Sequence, residues 1–87
     1  MNKIFTDRAW KEYIYWFEQD KKMLKRIIAI LKDIDRTPFD GIGKPEALRG
    51  DLSGFWSRRI DDKHRLVYRI NDNAIEIVQC KGHYDDK

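Results

Sequence analysis

The stretch DKKMLKRIIAILKDIDRTP, Asp20 to Pro38, decides the fold. Within it Leu24, Ile27, Ile28, Leu31 and Ile34 recur at helical spacing on one face, and Met23 and Ile30 broaden that face. Asp20 is placed to cap a helix over Lys21 to Arg36. Thr37-Pro38 is placed to end it, because the residue before a proline is pushed out of the helical region. The opposite face carries Lys21, Lys22, Lys25, Arg26 and Lys32. Such a basic stripe reads either as a solvated surface or as a nucleic-acid contact.

Toward the N-terminus, Asn2 to Phe5 is expected as a short strand, followed by a helix capped at Thr6 or Asp7 and running to about Gln19. Trp10, Tyr13, Ile14 and Phe17 follow the i, i+3, i+4, i+7 rule and are expected in the core. Tyr15 and Trp16 fall off that stripe, and either widen the buried face or stay partly exposed. Two amphipathic helices with a short joint make a helical hairpin.

Toward the C-terminus the helical pattern stops. Phe39 to Asp51 is broken by Gly41, Gly43, Pro45 and Gly50 and is expected as a functional loop. Phe55 to Ile60, Arg65 to Ile70 and Ala74 to Lys81 then read as three strands, separated by Asp61-Asp62-Lys63-His64 and Asn71-Asp72-Asn73. Leu66, Tyr68 and Ile70 alternate with Arg65, Val67 and Arg69, so the first set should meet the helices while the arginines share the other face. In the last strand Ile75 and Ile77 fit one phase but Val78 and Cys80 fit the other, which implies a bulge or burial on both sides. The expected fold class is α+β, a first strand, a helical hairpin and a three-strand meander in one domain over residues 1–87.

Composition agrees with a folded chain. The 87 residues make one small domain, and 41% hydrophobic and 13% aromatic residues are too many for a disordered tail despite 38% charged residues. No apolar run approaches the ~18 residues needed to cross a bilayer, and Met1-Asn2-Lys3 leads into no signal-peptide core. A cytoplasmic location and no membrane partner are therefore expected. The single Cys80 cannot form an internal disulfide and reads as a small core residue. It could join His64 and His83 on a metal, but a fourth ligand is not evident, so no metal and no cofactor are expected.

The net charge of +3 is only a weak hint of nucleic acid. Its distribution says more, because Lys44 to Arg69 holds Lys44, Arg49, Arg58, Arg59, Lys63, Arg65 and Arg69. Arginine's rigid fork suits phosphate well. Nucleophile elbows, glycine-rich phosphate loops and HExxH pairs are absent from the sequence. What remains is the loop carboxylate Glu46, the arginines Arg49, Arg59 and Arg65, and the pair His83-Tyr84. That set suits RNA cleavage, in which a base takes the proton of a ribose 2′-hydroxyl, cations stabilise the phosphorane and an acid protonates the leaving 5′-oxygen. An aromatic such as Tyr84 can stack on a base. Taken singly, a loop Glu also reads as solvated, Arg65 as a surface strand residue and His83 as merely exposed.

The string Arg36-Thr37-Pro38-Phe39, then Gly41, Gly43-Lys44-Pro45-Glu46 and Leu48, then Leu52 to Ile60 and His64-Arg65-Leu66-Val67-Tyr68, resembles the Txe/YoeB toxins of bacterial toxin–antitoxin systems. Trp10, Tyr13, Tyr15-Trp16 and the segment Cys80 to Tyr84 extend the resemblance over residues 1–84. It implies a RelE-like fold, with two N-terminal helices on one face of a twisted antiparallel sheet. It implies a metal-independent endoribonuclease, an mRNA interferase that cuts message in the A site of the 70S ribosome and inhibits translation. It implies neutralisation by a cognate antitoxin of the YefM/Axe kind, with operator DNA met only through that complex. By position Glu46 resembles the general base, His83 the general acid, Arg65 the phosphate stabiliser and Tyr84 the substrate-positioning aromatic. Lys44, Arg49 and Arg59 fall at substrate-binding positions. Two departures stand out: Arg49 sits where a lysine is common, and Asp85-Asp86-Lys87 extends past the usual His-Tyr ending, most simply as a flexible tail. A non-catalytic ribosome-binding protein and a structural partner of the antitoxin in an autorepressor are the alternatives, and a homodimer is left open.

Overall fold

The computed structural model describes residues 1–83. Strand β1 (Asn2–Phe5) leads into helix α1 (Asp7–Gln19), and helix α2 (Lys21–Arg36) follows after Asp20 alone. Strands β2 (Glu46–Ala47), β3 (Trp56–Arg59), β4 (Arg65–Asn71) and β5 (Ala74–Gln79) complete the fold. The caps are those the sequence implies. Thr6 Oγ1 accepts from the Ala9 N–H, and Asp20 Oδ1 accepts from the N–H groups of Lys22 and Met23.

The five strands lie in the order β1-β5-β4-β3-β2, with β3, β4 and β5 as the expected antiparallel meander. The sheet departs from a purely antiparallel one at its edge. There β1 runs parallel to β5, with Asn2 opposite Ala74 and Phe5 opposite Ile77. The Thr6 N–H donates to Ile77 O at 3.0 Å, so the chain leaves the sheet directly into α1 and folds back over β5. The loop also contains a strand that the sequence pattern does not announce. Glu46 and Ala47 pair with Ser57 and Trp56, too short a run for any alternation to be visible.

Ile27, Ile30, Leu31 and Ile34 of α2 pack with Ala9 and Trp16 of α1 against Ile60, Leu66, Tyr68, Ile75, Ile77 and Cys80. The expected α1 stripe is corrected here, because Trp10 and Phe17 are 50% and 52% exposed while Trp16 is buried. The helix is rolled so that Ala9 and Trp16, two turns apart, face the sheet. The Trp16 indole N–H reaches Cys80 O at 2.8 Å, a partner that a buried indole needs. Trp10 instead stacks on Tyr13, and both rings meet Phe5 edge-on. In β5 a bulge resolves the mixed phase. Val67 is opposite Gln79 and Tyr68 is opposite Ile77, leaving Val78 unopposed. Ile75, Ile77 and Cys80 therefore all join the core, while Gln79 shares the other face with Val67.

Arg58, counted above among the candidate phosphate-facing cations, is fully buried at 0% exposure. Its Nε donates to Tyr68 Oη, Nη1 to Asp33 Oδ2 and Ile42 O, and Nη2 to Thr37 O and Asp40 O. All the donors of the guanidinium are thus occupied. The strand pleat sends neighbours to opposite faces, so Arg58 points to the helix side and Arg59 to the other. Three carbonyls of the loop after α2 converge on this one side chain, and Gly43 closes the loop against β3 through an Arg59 N–H to Gly43 O bond of 2.7 Å. Gly43 has φ +80 and a Cβ there would lie 2.9 Å from Arg59 O, which glycine avoids on both counts.

Candidate functional site

A cleft of about 280 Å³ opens on the sheet face turned away from the helices, lined by Lys44, Glu46, Ser57, Arg59, Arg65 and His83. Register across the strands explains the convergence. Glu46 is opposite Ser57 in the β2–β3 pair, and Arg59, two residues along the same face, is opposite Arg65 in the β3–β4 pair. Lys44 enters from the loop at φ +51, just after the Gly43 contact to β3. His83 enters from the segment that follows β5.

Arg65 and the segment bearing His83 are held by their surroundings. The Arg65 Nη1 group donates to Asp61 O at 2.9 Å and to His64 O at 3.3 Å, which turns the guanidinium along the rim of the 61–64 turn. That turn is itself closed by Asp61 Oδ1, which accepts from the N–H groups of Lys63 and His64. The segment bearing His83 is bound by several hydrogen bonds. The Cys80 N–H donates to Glu12 Oε1, Cys80 O accepts from Trp16, Gln79 Nε2 donates to Lys81 O and His83 O, and the Gly82 N–H donates to His64 Nδ1.

Electrostatically the cleft is one carboxylate among three permanent cations and an imidazole, a field suited to an anionic ligand with a proton-accepting group at its edge. Other basic residues lie outside the cleft. Arg69 is paired with Glu76 at 2.9 Å and lies over the Phe55 ring, and the Glu76 carboxyl is held below the usual range chiefly by that arginine. The lysines Lys21, Lys22, Lys25 and Lys32 are exposed on the helix side. Arg49 lines a neighbouring depression with Glu46, Ala47 and Leu48 rather than the cleft itself. Tyr84 and the tail lie outside the described residues.

The Cys80 thiol donates to Ala9 O within the core, and burial pushes its pKa up to about 12. It is the small core residue that the sequence suggests. Among the described residues no group of three His, Cys, Asp or Glu side chains is placed to hold a metal ion. Sequence reasoning missed Ser57, Gln79 and the anchoring role of His64. Ser57 was findable, since it precedes Arg59 by two residues in an alternating strand, whereas Gln79 and His64 depend on the bulge and on the path of the segment after β5.

Residues 5–84 match the model of the YoeB-like toxins of bacterial type II toxin–antitoxin systems. The chain is 55% identical to Toxin YoeB of Streptomyces coelicolor, over 97% of this chain and 100% of that one. It is 50% identical to Toxin YoeB of Escherichia coli with the same coverages. Among solved structures it is similar to a YoeB/ParE toxin from Agrobacterium tumefaciens, with TM-score 0.94 and 42% identity, covering 97% of this chain and 100% of that one. It is also similar to a YoeB from Staphylococcus aureus described in a heterotetrameric YoeB–YefM toxin–antitoxin complex, with TM-score 0.91 and 49% identity, covering 97% and 98%. A helical hairpin on a five-stranded sheet, a cationic cleft on the far face, and identity near one half over almost the whole length lead to one conclusion: the chain belongs to the YoeB-like toxin family of bacterial type II toxin–antitoxin systems.

Proposed function

We propose that this protein is a ribosome-dependent mRNA endonuclease that cuts message in the ribosomal A site without a metal and is neutralised by a YefM-like antitoxin. The observation that carries the reading is the meeting of Glu46, Arg65 and His83, with Lys44 and Arg59, in a single cleft although they come from four separate segments. Acid, base and charge stabiliser must all reach one phosphate, and this cleft is wide enough for one.

In the proposed reaction Glu46 takes the proton of the ribose 2′-hydroxyl and the 2′-oxygen attacks phosphorus. The bond from phosphorus to the 5′-oxygen breaks in line, and His83 in its imidazolium form gives that oxygen a proton. The products are a 2′,3′-cyclic phosphate and a 5′-hydroxyl end, with the proton gained by Glu46 balancing the one lost by His83. Arg65 and Arg59 stabilise the phosphorane, as cations fixed at the site do better than mobile counterions. Lys44 and Arg49 hold neighbouring phosphates, and Tyr84 stacks on a base. The antitoxin assignment is supported by the YoeB–YefM complexes of the Staphylococcus aureus relative.

A small open cleft has little means of orienting a flexible strand, and orientation is worth several kcal/mol of barrier. A ribosome that holds the A-site codon would supply it. The test compares one message naked and in a stalled ribosomal complex at matched protein and salt. New 5′ ends at A sites, seen only in the complex and lost with Glu46→Gln, are expected. Equal rates on both would leave a general ribonuclease, and ribosome binding without cleavage would leave a non-catalytic partner.

A further inference from the structure

We infer that His64 is a positioning residue, which registers the proposed general acid His83 to Arg65 by holding the backbone of Gly82; the inference rests on the nuclease reading above. Gly82 immediately precedes His83 and has φ +84, in the left-handed region that glycine adopts without steric cost, and the orientation of its peptide sets where His83 starts. Both of its polar groups are fixed by adjacent residues, His64 at the end of the 61–64 turn and Arg65 at the start of β4. The Gly82 N–H donates to His64 Nδ1 at 2.8 Å, and Gly82 O accepts from the Arg65 N–H at 2.9 Å. The peptide leading to the acid is thereby tied to the residue that carries the phosphate-stabilising guanidinium.

His64 is itself immobilised. Its N–H donates to Asp61 Oδ1 at 2.7 Å, and its carbonyl accepts from the Ile60 N–H at 2.9 Å. Its ring stands edge-on to Trp16, with 4.8 Å between centroids. Trp16 in turn binds Cys80 O, so the same aromatic pair holds the segment at Cys80 and at Gly82. Accepting at Nδ1 requires the His64 proton to sit on Nε2, so His64 reaches this segment as an acceptor toward Gly82. Its effect on cleavage then runs through where His83 stands.

The experiment measures single-turnover cleavage of A-site message in stalled ribosomes by the full chain and by His64→Ala, His64→Asn and His83→Gln. Two substrates are used, one with the natural 5′-oxygen and one with a bridging 5′-sulfur at the scissile phosphate, a leaving group that departs without an acid. Asparagine places Oδ1 where the imidazole has Nδ1 and keeps an acceptor for the Gly82 N–H. On the oxygen substrate His64→Ala should cut ~10²-fold more slowly, His64→Asn should recover most of the rate, and ribosome affinity should stay within a few fold. On the sulfur substrate both His64→Ala and His83→Gln should return close to the parent rate. Parent-like cutting of the oxygen substrate by His64→Ala overturns the inference. So does an equal deficit on both substrates, or an Asn variant as slow as the Ala one. A parent chain that does not cut overturns the nuclease reading, whereas an undiminished His83→Gln in a chain that cuts overturns the assignment of His83 as the acid; either takes this inference with it.

Discussion

Arg58 Nη1 donates to Asp33 Oδ2 at 2.7 Å, joining β3 to the last turn of α2 inside the protein. The same carboxylate oxygen accepts from the Ile42 N–H at 2.9 Å, and Tyr68 Oη, which accepts from Arg58, donates to Pro38 O at 2.6 Å. One buried side chain thus fixes the loop that delivers Lys44 and Glu46 to the far face. Replacing Arg58 by Met should destabilise the fold by at least ~3 kcal/mol in urea unfolding, since it leaves loop carbonyls and a carboxylate without their donor. Arg58→Lys should recover little, because an ammonium cannot serve acceptors spread over a planar fork.

Acid stability should depend on Asp33. The Ile42 N–H and the Arg58 guanidinium hold its carboxyl below the ordinary value of 3.8. A carboxyl lowered on folding contributes stability that is fully present above its unfolded value and is lost as pH falls through the folded one. Unfolding midpoints should therefore decline below about pH 4. Asp35, lowered by Lys3 and the N-terminal ammonium, and Glu76, lowered chiefly by Arg69, add to the same decline. Asp33→Asn should be less stable at neutral pH and show a shallower acid limb, and an unchanged limb would place the sensitivity elsewhere.

For catalysis, Glu46→Gln and His83→Gln should each lower single-turnover cleavage by ~10² to 10⁴ while ribosome affinity stays within a few fold. Arg65→Ala should do the same through lost charge stabilisation. A chelator should leave cutting intact wherever the ribosomes stay intact. Loss of activity restored specifically by zinc or manganese would contradict the assignment of Arg65 as the charge stabiliser.

Cys80 should be inert in the folded protein. With its thiol in the core and its pKa pushed up to about 12, alkylation at pH 8 should proceed only as fast as the fold opens. The modification rate should accordingly rise with urea in step with unfolding. Fast labelling of the native protein would show that the segment around Cys80 opens independently.

The helices and the meander could be read from the chain, because periodicity, caps and turn residues report local structure, and the cleft residues other than Ser57 from chemistry-bearing residue types and the family resemblance. What escaped is what depends on tertiary phase. Trp10 and Trp16 are equally apolar, and Trp16 is the one that turns inward, where its indole meets Cys80 O and the core. Arg58 and Arg59 are adjacent and identical, yet one is walled into the core and the other opens on the cleft. Composition counted both as phosphate-facing, and the pleat of β3 separates them. Val78 carried a visible conflict of phase, but a bulge and two-sided burial leave the same mark on sequence, and here both occur.

The place of β5 in the sheet bears on how the protein is born. It lies between β1 and β4 and pairs with both, yet it is the last of the five strands to be synthesised. A nascent chain can close the helical hairpin early, since that hairpin is local. It cannot seat β1, made some seventy residues sooner, until Ala74 to Gln79 has emerged, and pairings of such long separation form late. The segment carrying His83 follows later still. The cleft therefore cannot assemble while only the helical hairpin and the first strands have left the ribosome, because its last wall follows the strand that ties the sheet together.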